Sequence, residues 1–107
     1  MITVDITRNA LKDITGFSVR GHAHVGARGT DIVCAGVSSL TQAAVMGLER
    51  HLGRRINFSQ TEECQLAVEL VEAPDSLTGA ILITMLLGLS EIAKSYPKNV
   101  RIVEHRR

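Results

Sequence analysis

The segment "DIVCAGVSSLTQAAVMGLERHLG", residues 31–53, decides the fold because it predicts a long amphipathic helix in the middle of the chain. Its apolar side chains recur every three or four residues, which places them along one face of a helix. This stripe consists of Val33, Val37, Leu40, Ala44, Leu48 and Leu52. Thr30 or Asp31 is a suitable N-cap, and Gly53 is a suitable stop.

The segments on either side of this helix alternate with the period of two that is typical of strands. Two of them precede the helix, "ITVDITR" (2–8) and "ITGFSVRG" (14–21), and they predict an antiparallel hairpin. Two more follow it, "RINFSQ" (55–60) and "CQLAVELVE" (64–72), separated by a polar "TEE" turn. They predict a second hairpin.

A second helix and a last strand complete the chain. Pro74, Asp75 and Ser76 announce the helix "LTGAILITMLLGLSEIAKS" (77–95), and "NVRIV" (99–103) is the strand. The predicted order is therefore ββαββαβ, in a single domain covering residues 1–107. We expect an α/β (α+β) fold, a two-layer sandwich in which a mixed sheet of about five strands carries two helices. The pattern leaves the strand order open.

The composition is that of an ordinary globular protein, with 45% apolar residues and a net charge of +1 in 107 residues. The aromatic residues are Phe17, Phe58 and Tyr96. A nearly neutral chain with three scattered aromatic side chains has neither a basic surface nor a stacking platform, so we expect no direct nucleic acid binding.

The location of the protein bears on its two cysteines. The start "MITVDITRN" lacks the features of a signal peptide, and the longest apolar run, "GAILITMLLGL" (79–89), is shorter than a bilayer span. We therefore expect a cytoplasmic protein with no membrane association. In that compartment Cys34 and Cys64 are expected to stay reduced, which leaves a free thiol for chemistry.

The stretch "GHAHVGARGTDIVC" (21–34) combines a thiol with a nearby imidazole. Gly21, where the second strand ends, begins a predicted mobile loop over residues 22–30, which contains Gly26 and Gly29. Cys34 is expected in the first helical turn or just beyond it, where the helix dipole favours a thiolate. His22 ends the preceding strand, and an imidazole there is suited to serve as the base for a cysteine nucleophile.

Two neighbouring residues, Asp31 and Ser38, allow two interpretations each. Asp31 either caps the helix or orients His22 as a third catalytic group. Ser38 lies one turn after Cys34, where it either hydrogen-bonds to the site or substrate or simply permits close packing. Cys64 is in phase with Leu66 and is interpreted as a structural core residue, not as a second reactive thiol.

Other function classes use the same residues. His22, His24, Cys34 and Cys64 are suitable zinc ligands, but the chain has no CxxC or HxxxH motif, so we expect no metal. The "GARGTD" loop (26–31) is typical of anion sites yet lacks the GK[ST] ending of a nucleotide site. A non-enzymatic assembly factor is the remaining alternative.

The sequence resembles the ribosomal-processing cysteine protease family, Prp. The matching features are "GHA" (21–23), the glycines at 26 and 29, "DIVCA" (31–35), Ser38, "ITVDITR" (2–8) and the helix with "TMLLGL" (84–89). The chain length is also similar, so the resemblance covers essentially the whole chain.

This resemblance implies a small homodimeric cysteine endopeptidase without a cofactor. It implies that the substrate is the short N-terminal extension of the large-subunit ribosomal protein L-twenty-seven, with two aromatic residues before the cut. It further implies that Cys34 is the nucleophile and His22 the base, with Asp31 and Ser38 beside them, and that the 22–30 loop partly covers an apolar peptide pocket.

Overall fold

The fold is a five-stranded sheet with two helices. The computed structural model describes residues 1–21, 28–62 and 64–107, of which 28–31 are described by their backbone alone. Within these ranges the strands are β1 (Ile2–Arg8), β2 (Ile14–Gly21), β3 (Ile56–Glu62), β4 (Gln65–Leu70) and β5 (Val100–Arg106), and the helices are α1 (Arg28–Met46) and α2 (Ser76–Ser95). The predicted order ββαββαβ is confirmed.

The strands are arranged in the order β3-β4-β2-β1-β5. Both predicted hairpins, β1 with β2 and β3 with β4, are antiparallel. β2 also pairs antiparallel with β4, whereas β1 pairs in parallel with β5, so the sheet is mixed as predicted. This order makes β3 and β5 the edge strands and places the second hairpin directly beside β2.

A single apolar core lies between the helices and one face of the sheet. Along β1, Ile2, Val4 and Ile6 are at most 1% exposed, while Asp5 between them faces the other side of the sheet. The remaining core residues on the sheet and the helices include Phe17, Val19, Leu66, Val68, Val33, Val37, Leu48, Leu82, Met85 and Leu89. Both helices therefore pack on the same face, which gives the predicted two-layer sandwich.

The two helices approach each other closely through glycines. A Cβ atom added at Gly88 would lie 2.9 Å from Leu40 Cδ1, and one at Gly36 would lie 3.1 Å from Ile92 Cδ1. These short distances show that the absence of a side chain permits the contact. The helix that carries Cys34 is thus held on two sides, by the sheet and by α2.

The start of α2 and the end of α1 lie near their predicted positions. Asp75 accepts hydrogen bonds from the backbone N–H groups of Leu77 and Thr78, at 3.0 and 3.1 Å, and forms a capping box with Thr78. The Thr78 N–H, followed by the hydrogen bond from Arg54, lowers the pKa of Asp75. α1 continues into one π-helical turn at Gly47–His51, after which Gly53 adopts a φ of +65°.

The start of α1 differs from the sequence prediction. The helix begins at Arg28, so Thr30 and Asp31 lie inside it and the prediction that either residue is its N-cap is wrong. Gly29 also belongs to the helix, and Gly21 is the last residue of β2, so the prediction that these two glycines belong to the mobile loop is wrong. Helix propensity is a weak preference that the surrounding fold overrides, and a glycine in a first turn costs only about 1 kcal/mol. Gly26 and the rest of the loop lie outside the described residues.

Two helical stretches, Ile32–His51 and Ser76–Ser95, are long and apolar enough to cross a membrane by length and composition alone. The prediction that no apolar stretch approaches the length of a bilayer span is therefore wrong by this measure. Core helices pass the same test, and each stretch contributes residues to the core described above.

Candidate active site

The end of β2 and the start of β4 meet at the same end of the sheet. Val19, two residues before the end of β2, pairs with Leu66, and Cys64 directly precedes β4, so Gly21 and Cys64 both lie at this end of the sheet. Gly21 is the last residue of β2 and directly precedes His22 in the sequence. The second hairpin therefore brings a cysteine to the place where the chain leaves the sheet toward α1.

Cys34 and Cys64 are joined by a disulfide in this structure, and their Cα atoms are 6.2 Å apart. The prediction that both cysteines stay reduced is wrong for this structure. The two cysteines are 30 positions apart in the sequence, so periodicity does not reveal this pairing, which depends on the position of β4 beside β2. Cys64 is 7% exposed, so its predicted burial is confirmed.

Ser38 completes a small polar cluster around the disulfide. Its side chain is buried on the same face of α1 as Cys34, with Oγ 3.5 Å from Cys64 Sγ. The buried Thr41 hydroxyl donates to the backbone carbonyls of Val37 and Ser38, at 2.9 and 3.2 Å. The structure thus brings Cys34, Ser38 and Cys64 together. The side chain of Asp31 is not among those described.

Two of the four histidines lie far from Cys34. His51 is in the π-helical turn, 17 residues further along the helix, a rise of roughly 25 Å. His105 lies on the outer face of the sheet, opposite the helices, where its Nε2 is 2.8 Å from Asp5 Oδ1. The two remaining histidines, His22 and His24, fall outside the residues that the structure describes.

The outer face of the sheet carries an ion cluster that sequence reasoning missed. Asp5 accepts hydrogen bonds from Arg20 Nε at 2.8 Å and from Ser18 Oγ at 3.4 Å, in addition to its contact with His105. The hydrogen bond from Arg20 holds the pKa of Asp5 below its ordinary value, against the opposing effect of burial. The sequence could have indicated this cluster only through the pairing of Asp5 with Ser18, and that pairing is known only once the register of β1 and β2 is known.

A cavity of about 550 Å³ also opens on the outer face, lined by residues such as Ser18, Asn57, Ser59 and Glu69. No residue of α1 within the described ranges lines it. The sheet therefore separates this cavity from Cys34. Its mixed polar lining also differs from the apolar peptide pocket that the sequence predicts.

The placement of a cysteine near the start of a helix, at the end of the sheet where a histidine follows the strand, agrees with one known family. The sequence profile of the cysteine protease Prp family matches residues 1–101 of the chain. The chain belongs to the Prp family. It is accordingly a cysteine peptidase, as the sequence predicted.

Similar proteins include several members of the Prp family. The ribosomal processing cysteine protease Prp of Staphylococcus aureus is 35% identical over 104 residues, which cover 95% of this chain and 97% of that protein. The Prp of Mycoplasma genitalium is 29% identical over 105 residues, covering 97% and 96%. The match therefore extends over nearly the full length of each chain.

Two crystal structures of the Staphylococcus aureus Prp share the fold and contain peptides. The complex with a substrate peptide has a TM-score of 0.89 and 31% identity, and the complex with a covalently linked product peptide has a TM-score of 0.88 and 32% identity. Each comparison covers 98% of this chain and 100% of the other. The two-layer α+β architecture is therefore that of Prp.

Proposed function

We propose that the reduced form of this chain is an endopeptidase that removes the N-terminal extension of the ribosomal protein L-twenty-seven, with Cys34 as nucleophile and His22 as base. The observation that carries the proposal is the covalently linked product peptide on a relative whose fold this chain shares over 98% of its length. A covalent peptide adduct is what nucleophilic catalysis produces. The name of that relative as a ribosomal processing protease supports the substrate class.

The reaction begins after the disulfide is reduced. His22 takes the proton of the Cys34 thiol, and the thiolate attacks the carbonyl carbon of the scissile peptide bond. His22 then returns the proton to the leaving amine, and a thioester joins Cys34 to the N-terminal fragment. Water hydrolyses this thioester with His22 again as the base, which releases the fragment and restores the thiol. No cofactor enters these steps.

The position of Cys34 in α1 makes the base more important. Cys34 is the seventh residue of the helix, in its second turn, whereas the influence of the helix dipole falls off within the first turn. The helix dipole therefore stabilises a thiolate at Cys34 less than it would stabilise one in the first turn. An imidazolium beside the sulfur would stabilise the thiolate instead. His51 and His105 lie far from Cys34, which leaves His22 and His24 as the candidates.

Ser38 is suited to a supporting role at the same sulfur. Its hydroxyl is buried beside the Cys34–Cys64 pair, and a hydroxyl can donate a hydrogen bond to a thiolate. We assign Asp31 no separate role, because the described residues do not include its side chain. Ser38 would act by positioning the nucleophile.

Cleavage of a matching peptide tests the proposed function. The chain, treated with a dithiol reductant, is incubated with a peptide that spans the extension and the start of the mature ribosomal protein, and the products are identified by mass spectrometry. We expect a single cut, and a loss of at least about 10³-fold in kcat/KM for Cys34→Ser because the nucleophile is removed. Folded, reduced protein that leaves the peptide intact would contradict the proposal. Equal cleavage by Cys34→Ser would exclude the thiol mechanism.

The exposed apolar face of α2 supports the proposed homodimer. Leu77, Ile83 and Leu87 are 54%, 39% and 64% exposed on this helix, and a contiguous apolar patch on a small protein marks an interface. The edge strands β3 and β5 are the other available contacts, but most of their exposed side chains are polar. We expect Leu87→Glu to convert the dimer to a monomer in sedimentation velocity. The control is Leu11→Glu, the same change at an 81% exposed leucine in the turn between β1 and β2. A wild-type chain that sediments as a monomer would exclude the dimer.

A further inference from the structure

Cys64 gives the candidate nucleophile a second thiol within bonding distance. The two cysteines come from different elements, the second turn of α1 and the turn before β4, and only the strand order brings them together. Their Cα separation of 6.2 Å lies within the range that disulfides require, so the bond can form and break without a large backbone movement. The proposed mechanism has no use for Cys64 or for the bond.

We propose that Cys64 is a resolving cysteine that converts Cys34 reversibly to a disulfide, so that peroxides switch the peptidase off and dithiol reductants switch it on. This inference rests on the proposed function, because it concerns the same Cys34 sulfur. The disulfide removes the thiolate that attacks the peptide. The oxidised chain therefore cannot form the acyl-enzyme.

The burial of the two sulfurs assigns their roles. Cys34 is only partly buried and packs at the border of the core, whereas Cys64 is 7% exposed. An oxidant from solution therefore reaches Cys34 first, and a thiolate paired with an imidazole is the more readily oxidised form. Cys64 is the protected partner, and it is positioned to react with the sulfenic acid that forms on Cys34.

The oxidation balances with a peroxide as the oxidant. The Cys34 thiolate attacks one peroxide oxygen and breaks the O–O bond, which gives a sulfenic acid on Cys34 and releases hydroxide from hydrogen peroxide, or an alkoxide from an organic peroxide. The Cys64 sulfur then attacks the Cys34 sulfur, loses its proton, and displaces the hydroxyl group as water. Two thiols are oxidised to one disulfide, and one peroxide is reduced.

The surroundings of Cys64 suit this second step and its reversal. Cys64 Sγ lies 3.4 Å from the carbonyl oxygen of Cys34, which can accept the thiol hydrogen in the reduced state. Ser38 Oγ, 3.5 Å from the same sulfur, can donate to it when it carries negative charge. For reduction, one thiolate of a dithiol attacks the more accessible Cys34 sulfur and releases the Cys64 thiolate. The second thiol of the reductant then frees Cys34 and leaves the reductant oxidised.

A peroxide and reductant cycle on the full chain tests the switch with two independent readouts. Reduced wild-type chain is treated with a small excess of hydrogen peroxide, then with dithiothreitol, and peptide cleavage, thiol titration and intact mass are measured at each stage. We expect peroxide to abolish both thiols, to lower the mass by two hydrogen atoms and to reduce cleavage on the order of 10²-fold or more, and dithiothreitol to reverse all three changes. Peptide mapping should identify the Cys34–Cys64 link.

Cys64→Ala is the matched variant, with Cys64→Ser as a second one should the smaller side chain disturb the core. Both are expected to cleave normally when reduced. After peroxide they should gain oxygen atoms on Cys34, and once the sulfinic acid has formed dithiothreitol should not restore cleavage, because no resolving thiol intercepts the sulfenic acid.

The readouts separate failure of the switch from failure of the proposed function. Wild-type chain that cleaves the peptide when reduced, but forms no Cys34–Cys64 link with peroxide, would overturn the switch and leave the peptidase proposal intact. A link that forms and breaks in a chain that never cleaves the peptide would overturn the proposed function, and the switch with it. Cleavage by the fully linked form would also overturn the switch.

Discussion

Replacing His22 with alanine is expected to lower kcat/KM of the reduced enzyme by at least about 10³-fold, the loss typical of removing one member of a catalytic unit. The physical reason is the position of Cys34 in the second turn of α1, where the helix dipole alone does not stabilise a thiolate. A proton acceptor is therefore required beside the sulfur. His22 follows Gly21, the last residue of β2, at the end of the sheet where β4 begins directly after Cys64, the residue bonded to Cys34.

The other three histidines serve as controls for this prediction. His51 and His105 lie at the far end of the helix and on the opposite face of the sheet, so their alanine variants should cleave at close to the wild-type rate. We expect the same of His24→Ala. A large loss in His24→Ala with normal cleavage by His22→Ala would transfer the role of base to His24. The pH dependence of kcat/KM gives a second check, since its acidic limb should report formation of the thiolate–imidazolium pair and its basic limb the loss of the imidazolium proton.

Replacing Gly21 with alanine is expected to reduce the free energy of unfolding by roughly 2–5 kcal/mol, from backbone strain and overpacking together. Gly21 has a φ of +102°, a conformation that residues with a side chain rarely adopt. A Cβ at this position would also overlap the backbone carbonyl oxygen of Met1 on the neighbouring strand. Backbone atoms cannot turn aside as a flexible side chain can, so the sheet end itself must shift. Urea unfolding measures the loss.

Alanine variants at two other glycines distinguish the cost of backbone strain from the cost of the overlap with Met1. Gly53 also has a positive φ, +65°, but a Cβ there would meet nothing within 4 Å, so Gly53→Ala should cost only the backbone term of about 1–2 kcal/mol. Gly79 lies in α2 with open space around it, and Gly79→Ala should stabilise the chain by about 0.5–1 kcal/mol. Equal losses for Gly21→Ala and Gly53→Ala would mean that the overlap with Met1 does not matter.

The candidate site was predictable from the sequence only in part. The residues that carry the family resemblance, such as the "DIVCA" segment around Cys34, point to a cysteine peptidase, and the family match confirms that class. The partner of Cys34 was not predictable. Alternation along "CQLAVELVE" shows that Cys64 is buried, but burial does not reveal what the sulfur faces. The presence of two cysteines was the available signal for a disulfide, but a reducing compartment was expected, and disulfides are rare there.

Asp5 illustrates the same limit on the other face of the sheet. Alternation along β1 predicts correctly that Asp5 points away from Val4 and Ile6. Its contacts with Arg20 and His105 depend on which strands flank β1 and in what register they pair. Neither is visible in the local pattern, because residue 105 is 100 positions away.

The sequence by itself determined the order of strands and helices and the face that each presents to the core. These features depend on periods of two and of three to four residues, which adjacent residues encode. The tertiary structure decided the strand order β3-β4-β2-β1-β5, the start of α1 at Arg28 and the bond between Cys34 and Cys64. These features depend on hydrogen bonds between distant strands and on the packing of a whole helix. Each of them joins residues that lie far apart in the sequence, so no short stretch of the chain encodes it.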